Sequence, residues 1–201
     1  MKTLALGFGM LLCSAAVFAQ GTVIFLNRVP GVLVAPIYGP DPANSMEALT
    51  GNSPDGMPPG TTVYGGPPLA GSGFTAQLWG GPDANSLAPA TGASTETFVI
   101  AGFWQTPANP AIIPTVPLGS VAQLQVRVWD NRGGTITTWS QAVAVGDVLG
   151  ESAVFSQYLG SELPLNLYGL TSFNIHESPE PSTFALMALG AIALLALRRP
   201  S

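Results

Sequence analysis

Fourteen consecutive residues near the C-terminus, Phe184 to Leu197, carry no charged side chain, and Arg198-Arg199 close the run. Ala, Leu and Met dominate it, and all three are good helix formers. Pro181 sets a non-helical approach, and Ser182 or Thr183 can cap the first turn. Sixteen helical residues, Ser182 to Leu197, would span about 24 Å at 1.5 Å per residue. The hydrocarbon core of a bilayer is roughly 30 Å thick. Arginine snorkelling makes up part of the difference. The segment is therefore expected to be a membrane helix, with Phe184, Leu186, Leu189, Leu194 and Leu197 as its lipid-facing anchors. Arg198 and Arg199 place its end in the cytoplasm by the positive-inside rule.

The other end gives the same topology. Lys2 precedes an apolar stretch from Leu4 to Phe18, and Ala19 follows. This is the order of a secretory signal peptide: a charged start, an apolar middle and a small-residue cleavage site. Val17 and Ala19 occupy the −3 and −1 positions for a cut between Ala19 and Gln20. The alternative is an uncleaved anchor, against which the short run and the cleavage site argue. Cys13 is the sole cysteine and lies inside this stretch. Leu11 and Leu12 stand where a lipoprotein signal wants small residues. The mature chain is expected to have no disulfide and no thiol chemistry.

Between the two ends the chain is sparsely charged and heavily punctuated. Charged residues make up 8% of the sequence, against about 25% in an ordinary soluble domain. There are 24 glycines and 19 prolines. The 47% hydrophobic content is enough to bury a core and argues against disorder. Residues 20–178 hold three arginines against ten acids, a net of −7. That balance offers no electrostatic footprint for nucleic acid.

Pro179-Glu180-Pro181-Ser182-Thr183, an apolar helix and terminal arginines together resemble the PEP-CTERM sorting signal of Gram-negative, biofilm-forming bacteria. The resemblance covers Pro179 to Ser201, and its basic end is short, only two arginines before Pro200-Ser201. It implies that the chain is a substrate of exosortase, a polytopic membrane enzyme with a cysteine nucleophile. That enzyme is understood to cut near the Pro-Glu-Pro, with or without transfer of the product to another acceptor. Physically the tripeptide suits recognition. Its prolines bias it to an extended form that loses little entropy on entering a peptidase groove. Pro179, Glu180, Pro181 and Ser182 are thus the expected processing motif. The expected organisation is a signal peptide over 1–19, an ectodomain over 20–176 and a sorting signal over 177–201. Within the last, the motif is 179–181, the helix 182–197 and the basic end 198–199.

The middle reads as all-β. Thr22 to Leu26, Val32 to Tyr38, Phe74 to Trp79, Thr97 to Trp104, Gln123 to Asp130 and Leu167 to Ile175 are strand-like runs between turn signals. Residues 39–72 read as a long loop, with a further short strand at Thr61 to Tyr64. In Gln123 to Asp130, Leu124, Val126 and Val128 face one way and Gln123, Gln125 and Arg127 the other. Asn131-Arg132-Gly133-Gly134 then predicts a turn, with Thr135 to Val145 returning as the second arm of a hairpin. Ser152 to Leu159 fits either a helix or a strand. About eight strands without long 3.6-residue periodicity suggest a β-sandwich, a jelly roll being one form of it. Gly21 to Arg28, Ala76 to Trp79 and Gln125 to Asp130 further resemble recurring stretches of PEP-CTERM proteins, a likeness that implies no activity.

Chemistry is scarce. His176 is the sole histidine and adjoins the sorting signal, which disfavours a Ser-His-Asp arrangement. Without a His or Cys cluster no zinc site is expected. Calcium ligands could be drawn from Asp83 and Asn85, or from Asp147 and Glu151, but neither pair fits an EF-hand loop. Glu96, Asp130, Glu151 and Glu162 are the carboxylates a glycosidase would need, and nothing pairs any two of them. No catalytic residue, metal or cofactor is expected. Trp79, Trp104, Trp129 and Trp139 either fill the core or stack on sugars of an extracellular polysaccharide. Trp79 and Trp129 share the more polar face of their strands, a slight pointer to exposure, but core packing is the favoured reading of the four. The expected function is that of a non-enzymatic surface or matrix protein, with a carbohydrate-binding module as the alternative. Expected partners are the Sec translocon, signal peptidase, exosortase and the inner membrane, plus polysaccharide under the alternative.

Overall fold

The computed structural model describes residues 20–160 and 162–178. The signal-peptide reading, all but Gln20 of its cleavage site, and the sorting motif, membrane helix and arginine pair fall outside them. Among the described residues no helix is long and apolar enough to cross a membrane.

The chain is mostly β. The first strands are β1 (Gln20–Ile24), β2 (Arg28–Val29), β3 (Leu33–Val34) and β4 (Ile37–Tyr38). After the long loop come β5 (Phe74–Gly81), β6 (Ala88–Pro89), β7 (Thr91–Gly92), β8 (Thr95–Ile100) and β9 (Phe103–Trp104). Next are β10 (Ala111–Pro117) and β11 (Val121–Asp130), then a 3-10 turn (Arg132–Gly134) and helix α1 (Trp139–Ala144). The chain closes with β12 (Val148–Glu151), β13 (Phe155–Tyr158), β14 (Leu165–Asn166), β15 (Phe173–Asn174) and β16 (His176–Glu177).

Two sheets dominate. One has the order β14-β1-β10-β7; the other runs β16-β12-β11-β5-β8-β9, with β13 also on β11 and β6 on β5. β11 is the spine of the larger sheet. From Gln123 to Asp130 it pairs antiparallel with the whole of β5, while β13 and β12 share its other side. The alternation expected of β5 and β11 is present. Ala76, Leu78, Leu124, Val126 and Val128 are fully buried and join Val23 of β1 and Ile113 of β10 in one core. The sheets meet closely at Gly80, where a Cβ would lie 2.7 Å from Leu124 Cδ2 and 3.0 Å from Ile113. A side chain there would displace the ends of Leu124 and Ile113, which accounts for a glycine inside a strand.

Buried polar groups tie loops to this core. Asn27 is fully buried; its Nδ2 donates to the carbonyls of Ala35 (2.9 Å) and Gly102 (2.8 Å). Trp104 Nε1 donates to Phe25 O at 2.9 Å, and its ring packs on those of Phe25 and Phe98. In the long loop, Tyr64 stacks on Tyr38 at 4.1 Å and its hydroxyl donates to Gly51 O at 2.5 Å. Burial and the neighbouring Tyr38 push the Tyr64 hydroxyl above its ordinary pKa.

Several expected elements differ. Thr135 to Val145 does not return as a strand. The Asn131–Gly134 turn forms, with φ of +46° at Arg132 and +68° and +90° at Gly133 and Gly134. Thr138 then caps α1 in a capping box with Gln141, and local capping overrides the β-branched composition. The hairpin partner of β11 is instead β12. Val32 to Tyr38 splits into β3 and β4 at Pro36, which cannot donate to a ladder. Thr97 to Trp104 breaks into β8 and β9 at Gly102, whose φ is +82°. Thr61 to Tyr64 is irregular, and Leu167 to Ile175 is a strand only at Phe173–Asn174. The ambiguous Ser152 to Leu159 contains strand β13.

Candidate functional site

Strand register lines up a polar and aromatic outer face on the large sheet. Gln77 stands opposite Arg127, which stands opposite Glu151; Trp79 stands opposite Gln125; Thr75 stands opposite Trp129. Arg127 is the centre of this face. Its guanidinium lies 3.9 Å from the Trp79 ring centre and 5.2 Å from that of Trp139, the first residue of α1. Arg127 Nε donates to Gln125 Oε1 at 3.0 Å and lies 3.4 Å from Glu151 Oε2. Burial draws the guanidinium below its ordinary pKa, and Glu151 opposes that shift. Trp79 Nε1 donates to Gln77 Oε1 at 3.1 Å. The groups on this face largely satisfy one another.

Trp79 and Trp129 do share a face, but Trp129 is not exposed. Helix α1 folds over it, so Trp129, Ile136, Ala142 and Leu149 make a second small core with Trp139 against them. Trp129 Nε1 donates to Ile136 O at 3.2 Å. Trp104 is buried in the main core. Only Trp79 and Trp139 are half-exposed, and both flank Arg127.

Several candidate acids have local partners. The Ser86 side chain, and next the Asn85 N–H that donates to Asp83 Oδ1 at 2.8 Å in a tight turn, hold the Asp83 carboxyl below its ordinary pKa. Asp147 is buried; its Oδ1 accepts from Val148 N and its Oδ2 lies 2.9 Å from Arg132 Nε, poorly aligned for a hydrogen bond. Asp130 Oδ1 accepts from Arg132 N at 2.7 Å. Glu162 is exposed, and burial raises the pKa of Glu96. Among the described residues no group of three or more His, Cys, Asp or Glu side chains could hold a metal ion.

Two arrangements were not legible in the sequence. Arg28 lies over the Phe103 ring at 5.2 Å, and two open grooves of about 430 and 410 Å³ both use these two side chains as walls. Among the described residues Arg28 makes no ion pair. Separately, His176, Glu151 and Ser152 line one cavity of about 260 Å³. Ser152 Oγ is already committed there, accepting from Val126 N at 3.0 Å and donating to Ala153 O at 2.8 Å. Those bonds tie β11 to the segment that follows β12.

At the C-terminal end the folded domain runs up to the expected processing motif. Phe173 and Ile175 are fully buried, and Ile175 N donates to Tyr38 O at 2.9 Å. The Asn174 side chain accepts from Leu49 N and donates to Glu47 O. β16 then lies on the sheet edge, His176 opposite Leu149 and Glu177 opposite Val148. Glu177 N donates to Ser45 O, and Ser45 Oγ donates to Glu177 Oε2, both at 2.7 Å. Only Ser178 separates this strand from Pro179. At the other end, Gln20 is the first residue of β1 and its Nε2 donates to Pro114 O at 3.0 Å.

These features define a mostly-β domain followed directly by a C-terminal signal. That signal is the PEP-CTERM protein-sorting motif, whose family model matches residues 179–199. The motif implies exosortase-dependent sorting of an exported protein, with passage through the membrane toward the cell surface. No curated protein and no solved structure matches the chain.

Proposed function

We propose that this chain is a non-enzymatic surface or matrix-associated protein, whose ectodomain is a β-sandwich delivered by its two ends. The Sec translocon exports it, and signal peptidase cuts between Ala19 and Gln20. The 182–197 helix holds it in the inner membrane with Arg198 and Arg199 inside. Exosortase then cuts near Pro179-Glu180-Pro181. The single observation that carries this reading is the sorting motif at 179–199 placed one residue behind a folded domain. The two sheets sharing one core support the sandwich. Mass spectrometry of the protein from its native host tests it. A terminus at Gln20 and loss of the tail beyond the tripeptide are expected. An intact Arg198-Arg199 end on every copy would overturn it.

A second reading, a carbohydrate-binding module, is favoured by the paired grooves at Arg28 and Phe103 rather than by the tryptophans. An aromatic wall beside a cation suits a sugar ring bearing polar substituents. Loss of polysaccharide retention on Phe103→Ala in an affinity gel would support it; no retention of the unaltered protein would dispose of it.

A further inference from the structure

We infer that the Ser45–Glu177 contact is a latch on the sorting reaction: β16 must leave the sheet edge before the motif can be engaged. This rests on the exosortase reading above. A peptidase groove holds its substrate as extended backbone on both sides of the scissile bond, with main-chain groups free to pair. Here the residues immediately before the motif are already paired. His176 and Glu177 belong to β16, and Ser178 alone intervenes before Pro179.

The strand is built to open locally. It is two residues long, lies at the end of the strand order and pairs only with β12. Its extra hold is the exposed pair of bonds between Ser45 and Glu177. The preceding residues are different in kind. Phe173 and Ile175 are fully buried, and Asn174 is bonded through both ends of its amide. Opening therefore stops at Ile175, and the domain stays folded. Freeing residues 176–178 yields about 10 Å of extended chain at 3.3 Å per residue. That length of backbone, paired in β16 when the latch is shut, becomes free to pair in a peptidase groove. Ser45 and Glu177 are positioning residues of the substrate and take no part in the chemistry.

Two measurements on the full chain test the latch. The first is amide hydrogen exchange in detergent micelles, with no enzyme present. The Glu177 amide should exchange well before those of β11 and Ile175. Ser45→Ala, which removes only the hydroxyl, should speed Glu177 exchange by about three- to tenfold, the factor expected for one exposed hydrogen bond to a carboxylate. The second is the rate of tail loss in the native host. It should rise with Ser45→Ala and with Glu177→Ala. A flexible eight-residue spacer inserted after Glu177 should make tail loss insensitive to Ser45→Ala. Exchange of Glu177 only together with β11, or equal tail loss in wild type and Ser45→Ala at the native spacing, would overturn the latch. Absence of tail loss from the wild-type chain would instead overturn the sorting reading, and the exchange arm would still decide whether β16 opens.

Discussion

The Arg127 guanidinium lies 3.9 Å from the centre of the Trp79 ring, with Trp139 on the same cation at 5.2 Å. The pairing is diagonal across β11 and β5, since Trp79 is opposite Gln125 and Arg127 opposite Gln77. Two half-exposed tryptophans thus share one partly buried cation.

Removing that cation should loosen the outer face. Arg127→Ala is expected to lower stability by about 1–2 kcal/mol, from two cation–π contacts and one partly exposed ion pair. Arg127→Lys should recover only part of this, because an ammonium lacks the planar face. Urea unfolding checks both, and a red shift of tryptophan emission should accompany the Ala variant.

The two tryptophans at the helix should differ in cost. Trp129 is fully buried and hydrogen-bonded to Ile136 O, so Trp129→Ala should destabilise by about 3–5 kcal/mol. Trp139 covers it from a half-exposed position. Trp139→Ala should therefore cost clearly less by thermal unfolding. Equal costs would contradict the assignment of Trp129 to a second core.

Gly80 sets the approach of the two sheets. Gly80→Ala places a methyl 2.7 Å from Leu124 and 3.0 Å from Ile113. A loss of about 1–3 kcal/mol is expected from overpacking. Ile113→Val in the same chain should return part of it, a coupling that a double-mutant cycle in urea would read.

Glu96 should report on pH with an unusual sign. Register sets it opposite Ala76, on the face that carries the core, and burial raises its pKa. A raised carboxyl favours the folded state while protonated. Its contribution is present below the unfolded pKa and is lost as pH rises through the folded one. Glu96→Gln should therefore raise the urea midpoint at pH 7 and leave it nearly unchanged at pH 3. A lowered midpoint at pH 7 would show that the charge is held favourably.

Local signals were legible where one element answers to one face. The alternation in β5 and β11, the Asn131–Gly134 turn, the break at Gly102 and the C-terminal motif could all be read residue by residue. The helix α1 was missed because β-branched residues hid a capping box at Thr138 and Gln141. Core packing, the favoured reading of the tryptophans, holds for Trp104 and Trp129, but the strand face of Trp129 pointed weakly the other way. Strand alternation tells which face a side chain leaves from, and says nothing of what later folds over that face.

The sorting motif at 179–199 was legible in the sequence alone, because it is carried by contiguous residues whose order needs no tertiary contact. The meeting of Arg127 with two tryptophans, the walls shared by Arg28 and Phe103, and the seating of Glu177 on Ser45 join residues up to 132 positions apart. Only the packed sheets could decide those, since nothing in either partner's neighbourhood along the chain specifies the other.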